Sequence, residues 1–117
     1  MPTNRKQSAS TPAVLTNSLA TYYTVPGSTV GKDITLDFCN TDTSNAIGIT
    51  MHLVPSGGSA AAGNQIFSET SPGGMVLAAN EWRSIPLDQA IGAGAFIQIK
   101  ASITAKVTVH LTVTEVS

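Results

Sequence analysis

The chain has 117 residues and a mass of 12.0 kDa, which fits one domain. Charged residues make up 11% of it, well below the usual quarter, and leave a net charge of −1, so we expect neither nucleic acid nor a membrane as a partner. A chain this poor in charge often covers part of its surface in a stable assembly. We therefore predict a homo-oligomer; the alternative is a monomer coated with Ser and Thr hydroxyls.

The N-terminal segment predicts an extended arm in front of a single domain at residues 13–117. Residues 1–12 are polar and show no hydrophobic period, so in isolation they should be disordered. Arg5 and Lys6 are followed by no apolar run, which argues against a secretory signal, and no run has the eighteen or so apolar residues of a membrane helix. We expect the product to be made in a cytoplasm and the arm to be held by a neighbouring subunit.

Short alternating segments predict seven or eight β-strands, with turns about every ten residues. Pro-Gly pairs and runs of Asn, Asp, Ser and Thr separate them, and no helical period competes. This spacing is typical of an all-β antiparallel sandwich or jelly roll. A β-prone but broken stretch begins at residue 13, and clearer strands are predicted at residues 22–25, 32–40, 46–54, 75–78, 82–87, 95–101 and 106–116.

The best patterned of these strands is residues 46–54. Ile47, Ile49 and Met51 point one way and the residues between them point the other way, which predicts a strand with one buried face. Pro55 ends the strand, because proline has no amide proton to donate to a sheet.

The connections around this strand carry three further predictions. Residues 40–45 are rich in side chains that bond their own backbone, so they predict a hairpin turn between the preceding strand and this one. Residues 55–74 predict a long irregular loop with one short apolar piece around Phe67. Pro86 cannot donate to a ladder, which places the strand at residues 82–87 near a sheet edge.

The single cysteine and the larger aromatic residues have both structural and functional interpretations. Cys39 excludes an internal disulfide, and its alternation with Phe38 indicates a core or half-buried residue rather than a nucleophile. Trp82 suits an exposed platform for a sugar or a partner, but a core or edge aromatic that closes one end of the sandwich is the more common arrangement. Of Tyr22 and Tyr23, one ring should pack inward and the other should reach the surface.

A partner surface would involve the arm, the long loop or the exposed aromatic rings. These are the segments whose structure the hydrophobic pattern does not determine. The candidate partner-binding residues are therefore Arg5, Lys6, Tyr23, Phe67 and Trp82.

Catalytic motifs are weak throughout the chain. His52 and His110 sit in the middle of predicted strands and could pair across two strands, but a metal ion needs three or four ligands with matched spacing. No Gly-x-Ser-x-Gly elbow occurs, the carboxylates are scattered, and residues 54–58 lack the Lys and the following helix of a phosphate loop. We expect no enzyme activity, no catalytic residue, no cofactor and no metal.

Four segments resemble a family of small virion structural proteins of tailed bacteriophages. The most characteristic is the sequence HLVPSGG after a CNT turn, and the likeness extends over about residues 13–116. The resemblance implies a β-sandwich in a virion assembly and no catalytic residues. The segments that carry it are residues 15–26, 38–42, 49–58 and 107–111.

The function that this resemblance implies is a structural one, in the virion. The first hypothesis is a capsid decoration (cement) protein that binds the assembled shell, with other copies of itself and the major capsid protein as partners. The second is a tail or fibre-adaptor protein. A hypothesis of another class is a carbohydrate-binding module that uses Trp82, Tyr22 or Tyr23 as a stacking platform.

Overall fold

The computed structural model of the protein describes residues 3–7, 13–68 and 74–116. These residues form ten strands and one short 3₁₀ turn, Ala62–Asn64. The strands are β1 (Thr3–Gln7), β2 (Ala13–Val14), β3 (Ala20–Thr24), β4 (Val30–Asn40), β5 (Ile47–Val54), β6 (Gln65–Phe67), β7 (Val76–Leu77), β8 (Trp82–Leu87), β9 (Phe96–Ala101) and β10 (Val107–Val116).

The strands form two antiparallel sheets, which pack face to face as the predicted β-sandwich. Sheet A has the order β1–β10–β4–β8, and β2 also pairs with β10. Sheet B has the order β3–β9–β5–β6, and β7 also pairs with β5. The hydrophobic alternation did not predict β1 and β6, because β1 is polar and β6 has only three residues. Both strands lie at sheet edges, where a strand need not carry an apolar residue at every second position.

The core between the sheets is aliphatic, as the composition indicates. The inward faces predicted from alternation are confirmed in both sheets, because alternate residues are buried along residues 34–40 of β4 and 107–113 of β10 in sheet A and along β9 in sheet B. Phe38 is fully buried, and its ring meets that of Phe67 edge to face, with 6.3 Å between the ring centroids. The fully enclosed side chains include Ile34, Leu36, Phe38, Ile47, Ile49, Met51, Leu77, Ile97 and Ile99.

The hairpin predicted between β4 and β5 is wrong. Strand β4 pairs with β10 and β8, whereas β5 pairs with β9, β6 and β7, so the connection at residues 41–46 crosses from one sheet to the other. The period-two pattern is the same for two strands that share a ladder and for two strands that face each other across a core. Local alternation therefore identified the strands but could not distinguish these two arrangements.

Strand β5 is buried on both faces, which corrects the prediction of a half-buried strand. Thr50, His52 and Val54 alternate with the core residues and are nevertheless buried. The chain after β5 turns back, since the His52 ring nitrogen Nδ1 lies 2.8 Å from Asn64 Oδ1. Part of the predicted irregular loop is thus regular structure: it contains the 3₁₀ turn and β6, while residues 69–73 lie outside the described residues.

The two edges of sheet A differ in how they are occupied. Strand β8 forms one edge, as predicted from Pro86. At the other edge β1 pairs with β10 of the same chain, from Thr3 opposite Val116 to Gln7 opposite Thr112. This part of the arm therefore pairs with its own chain in this structure. Residues 1, 2 and 8–12 of the arm lie outside the described residues. No described helix is long and apolar enough to cross a membrane.

Candidate binding surface

The outward face of sheet A is a broad strand surface with an apolar row at one end. Paired residues of neighbouring antiparallel strands point to the same side of a sheet. Cys39 lies opposite both Thr108 and Trp82, and Thr108 lies opposite Val14. These four residues form a row across β2, β10, β4 and β8, which we call the Trp82 row.

The two ends of the Trp82 row are exposed. The Trp82 side chain is 64% exposed and that of Val14 is 48% exposed, while Cys39 and Thr108 between them are half-buried. Trp82 lies on an edge strand, as expected for an edge aromatic, but its exposed ring does not close one end of the sandwich. The half-buried position predicted for Cys39 is confirmed, and the cysteine is a free thiol.

An ion pair holds the backbone that carries Trp82. Arg83 Nη2 lies 2.6 Å from Glu81 Oε2, and Glu81 Oε1 accepts the amide of Ala78 at 2.7 Å. The pKa of Glu81 is lowered, because the Ala78 amide and the Arg83 guanidinium both stabilise the carboxylate. Arg83 also donates to Met75 Sδ at 3.3 Å. These contacts link the start of β8, next to Trp82, to Met75 and Ala78 in the segment that precedes it.

Polar residues form the next row of the same face. Asp37 of β4 lies opposite His110 of β10 and opposite Ser84 of β8. This row runs beside the Trp82 row, two residues further along each strand. The outward face of sheet A therefore combines one exposed ring with an imidazole, a carboxylate and hydroxyl groups.

The other predicted partner-binding residues are placed differently. Tyr23 is 6% exposed, and its hydroxyl donates to Glu115 Oε2 at 2.6 Å, so it offers no surface to a partner in this structure. Tyr23 packs inward as predicted, whereas Tyr22, at the register shift of β3, is half-buried and also packs against the core. Phe67 is half-buried against Phe38, and the Arg5 and Lys6 backbones lie in β1 opposite Thr114 and Val113. The structure does not bring the five predicted residues together.

The Tyr23–Glu115 hydrogen bond joins the two sheets at one end of the sandwich. Tyr23 belongs to β3 of sheet B and Glu115 to β10 of sheet A. The pKa of Tyr23 is raised, first by burial and then by the hydrogen bond and the charge of Glu115. The two residues are 92 positions apart, so nothing local in the sequence pointed to the pair.

The histidines lie in separate sheets, so the possibility that they face each other from two strands of one sheet is not realised. His52 is in sheet B and His110 in sheet A. Asn64 Oδ1 also accepts the Ala61 amide at 3.0 Å, which identifies it as the oxygen, so His52 Nδ1 donates to it. Among the described residues no group of three or more His, Cys, Asp or Glu side chains is placed to hold a metal ion.

Sequence comparisons identify no relative of this chain. No family model matches it, and no curated protein matches it. The comparisons that do return matches are with solved structures, at identities that show similarity of fold and not of activity.

The fold likeness extends over nearly the whole chain. A structure from work on Bacillus endospore appendages, described as a novel family of disulfide-linked pili, matches with a TM-score of 0.52 at 14% identity, over 99% of this chain and 87% of that one. Structures of infectious bursal disease virus, strains Gx and Gt, match with TM-scores of 0.39 and 0.31 at 13% and 12% identity; this chain spans 30% of each. The first of these supports the sandwich fold.

Proposed function

We propose that this protein is a non-catalytic structural protein that acts in a self-assembled oligomer, as a capsid decoration protein of a tailed-phage virion. The observation that carries the proposal is the Trp82 row, a mainly apolar strip on the outward face of sheet A that ends in an exposed ring. A fully covered tryptophan buries about 150–250 Å², and Trp82 is 64% exposed, so covering it removes about 100–160 Å² from water, roughly 2.4–4 kcal/mol at 25 cal/mol per Å² before the costs of association. A partner that covers this face gains that burial.

The fold likeness adds support of a coarser kind. The Bacillus appendage protein, which shares the sandwich, is a pilus component, so its fold is used as a repeating unit of an assembly. The low charge of this chain agrees with such a use, because a repeating unit leaves less surface to be solvated. The tailed-phage setting comes from the sequence resemblance.

The mechanism of a decoration protein is thermodynamic. A protein that binds the assembled shell, and not its free subunits, stabilises the shell by mass action, by about 2.7 kcal/mol per site at a hundred times the dissociation constant. No chemical step is needed. A preformed sheet face meets this requirement, because its backbone is already ordered before it docks.

Shell binding is tested with Trp82→Ala in the full-length protein. We expect the variant to bind shells stripped of the protein at least 30-fold more weakly than wild type, since an aromatic hot-spot residue contributes 2 kcal/mol or more. Leu19→Ala is the matched control: Leu19 is another exposed apolar residue, directly before β3 of sheet B, and its variant should bind like wild type. The readout is cosedimentation with stripped virion shells.

The same particles test the role itself. Stripping the protein should lower the temperature at which the shell opens, and adding it back should restore that temperature. Unchanged shell stability after complete removal would contradict the cement role. The alternative within the virion is a tail or fibre-adaptor protein, and copy number separates the two: hundreds of copies indicate shell sites and a few copies indicate tail sites.

A carbohydrate-binding module is a second candidate, favoured by the polar row beside the exposed ring. A sugar would stack on Trp82 while Asp37 and Ser84 accept or donate hydrogen bonds. Binding on a glycan array that is lost in Trp82→Ala but kept in Trp82→Phe would support this function over the structural one.

A further inference from the structure

The edge of β10 is occupied by two separate pieces of the N-terminal segment. Strand β1 covers Thr112–Val116 of that edge, from Gln7 opposite Thr112 onward, and β2 covers the positions of Val109 and Thr108. Both pieces run antiparallel to β10, so they lie end to end along one edge. Together they form one interrupted edge strand.

The connection between the two pieces is longer than a continuous strand requires. Residues 8–12 separate Gln7 from Ala13 along the chain, whereas residues 110 and 111 alone separate their partners Thr112 and Val109. Three residues are therefore in excess. The connecting sequence, SASTP, is polar and ends in Pro12, directly before β2.

Strand β1 is joined to the domain by its ladder with β10. Among the described strands it pairs with β10 alone, and its sequence, TNRKQ, contains no apolar residue. Removing β1 from its place would leave residues 112–116 of β10 without a strand partner on that edge.

We propose that β1 is exchanged between copies of this chain, so that β1 of one copy pairs with β10 of a second copy. The inference rests on the self-assembly in the proposed function and names its contact. The occupant is a second copy because the edge of β10 that β1 occupies accepts this sequence in a defined register. An exchanged strand makes the same contacts in a new partner, so the exchange costs little beyond association.

The exchange is tested with cysteines placed in register, in a Cys39→Ser background. Gln7→Cys and Thr112→Cys are made in separate full-length proteins, which are mixed and mildly oxidised. Directly opposed residues have Cα atoms about 4.5–5.5 Å apart, a separation that a disulfide spans. We expect a disulfide between the two different variants, seen as a covalent dimer on non-reducing gels.

The control is Thr108→Cys in place of Thr112→Cys. Thr108 also faces outward on β10 but lies about 13 Å further along the strand, so it should not couple with position 7. Equal coupling of the two mixtures would overturn the proposal. So would a Gln7→Cys/Thr112→Cys double variant that closes within single chains while the mixed single variants stay apart.

Sedimentation of the wild-type protein separates this inference from the proposed function. If the chain forms oligomers but the mixed variants do not couple in register, exchange is wrong and self-assembly stands. If the chain is a monomer at every concentration, both fail.

Discussion

At the scale of the residue, the buried amide of Asn40 organises the crossing between the sheets. Its Nδ2 donates to the carbonyls of Asn45, Leu77 and Ala78 at 2.9–3.2 Å, and its Oδ1 accepts the Asp42 amide at 2.9 Å. One side chain of sheet A thus satisfies the backbone around β7 of sheet B. The polar run after β4 was recognised in the sequence as a turn, but its role as a sheet-to-sheet arch was not.

The carboxylate of Asp42 makes this arch pH-dependent. It accepts the Ser44 amide at 2.8 Å and the Asn45 amide at 3.0 Å, and these bonds, the Ser44 bond first, lower the pKa of Asp42. A carboxyl whose pKa is lower in the folded state stabilises the fold above its unfolded pKa, near 4, and that stability is lost as the pH falls through the folded pKa.

We therefore expect Asp42→Asn to be less stable than wild type at pH 7 and to approach it at the acid end of the range. The measurement is urea unfolding at pH 7 and pH 3. Asp88→Asn, in an exposed loop, is the control and should change the free energy of unfolding by less than about 0.5 kcal/mol. A wild-type advantage over Asp42→Asn that is the same at both pH values would contradict the assignment.

At the scale of the element, the turns that end β5 and begin β9 pack against each other. Gly94 has φ = +82° and donates its amide to Val25 O at 3.0 Å. A Cβ at this position would lie 2.9 Å from Ser56 Cβ, in the turn after β5. The glycine is needed both for its backbone angle and for the close approach.

Gly94→Ala should lower the free energy of unfolding by about 1–3 kcal/mol, because it combines left-handed backbone strain with a steric overlap. Gly92→Ala, two residues earlier, is a matched control, since its Cβ would meet nothing within 4 Å. Thermal and urea unfolding of both variants provide the comparison. Equal losses would show that Gly94 is not specially constrained.

At the scale of the whole molecule, polar contacts tie the two sheets at both ends of an aliphatic core. Strand β10 reaches from Val107, opposite Asn40, to Glu115, which bonds Tyr23. The two ties are separated by eight residues of strand, about 26 Å. Hydrophobic burial between them supplies stability, and the ties determine how the sheets are aligned.

Because the ties are distant, their removal should be additive. We expect Asn40→Ala to lose about 2–3 kcal/mol by leaving buried carbonyls unpaired and Tyr23→Phe about 1.5–3 kcal/mol. The double variant should lose the sum within about 0.5 kcal/mol. Urea unfolding measures all three. Asn17→Ala, at an exposed asparagine, is the control. A loss in the double variant that differs from the sum of the single losses by more than about 1 kcal/mol would contradict additivity and show that the two contacts are coupled through the core.

The sequence by itself determined the all-β class, most of the strands and their inward faces, because alternation is a local property and each long strand must bury one side. It also placed β8 at an edge, since Pro86 has no amide proton to donate to a neighbouring strand. Tertiary structure alone decided which strands pair, that β4 and β5 lie in different sheets, and that Tyr23 meets Glu115. It also decided the exposure of Trp82. These depend on contacts between residues far apart in the chain, which no local period encodes.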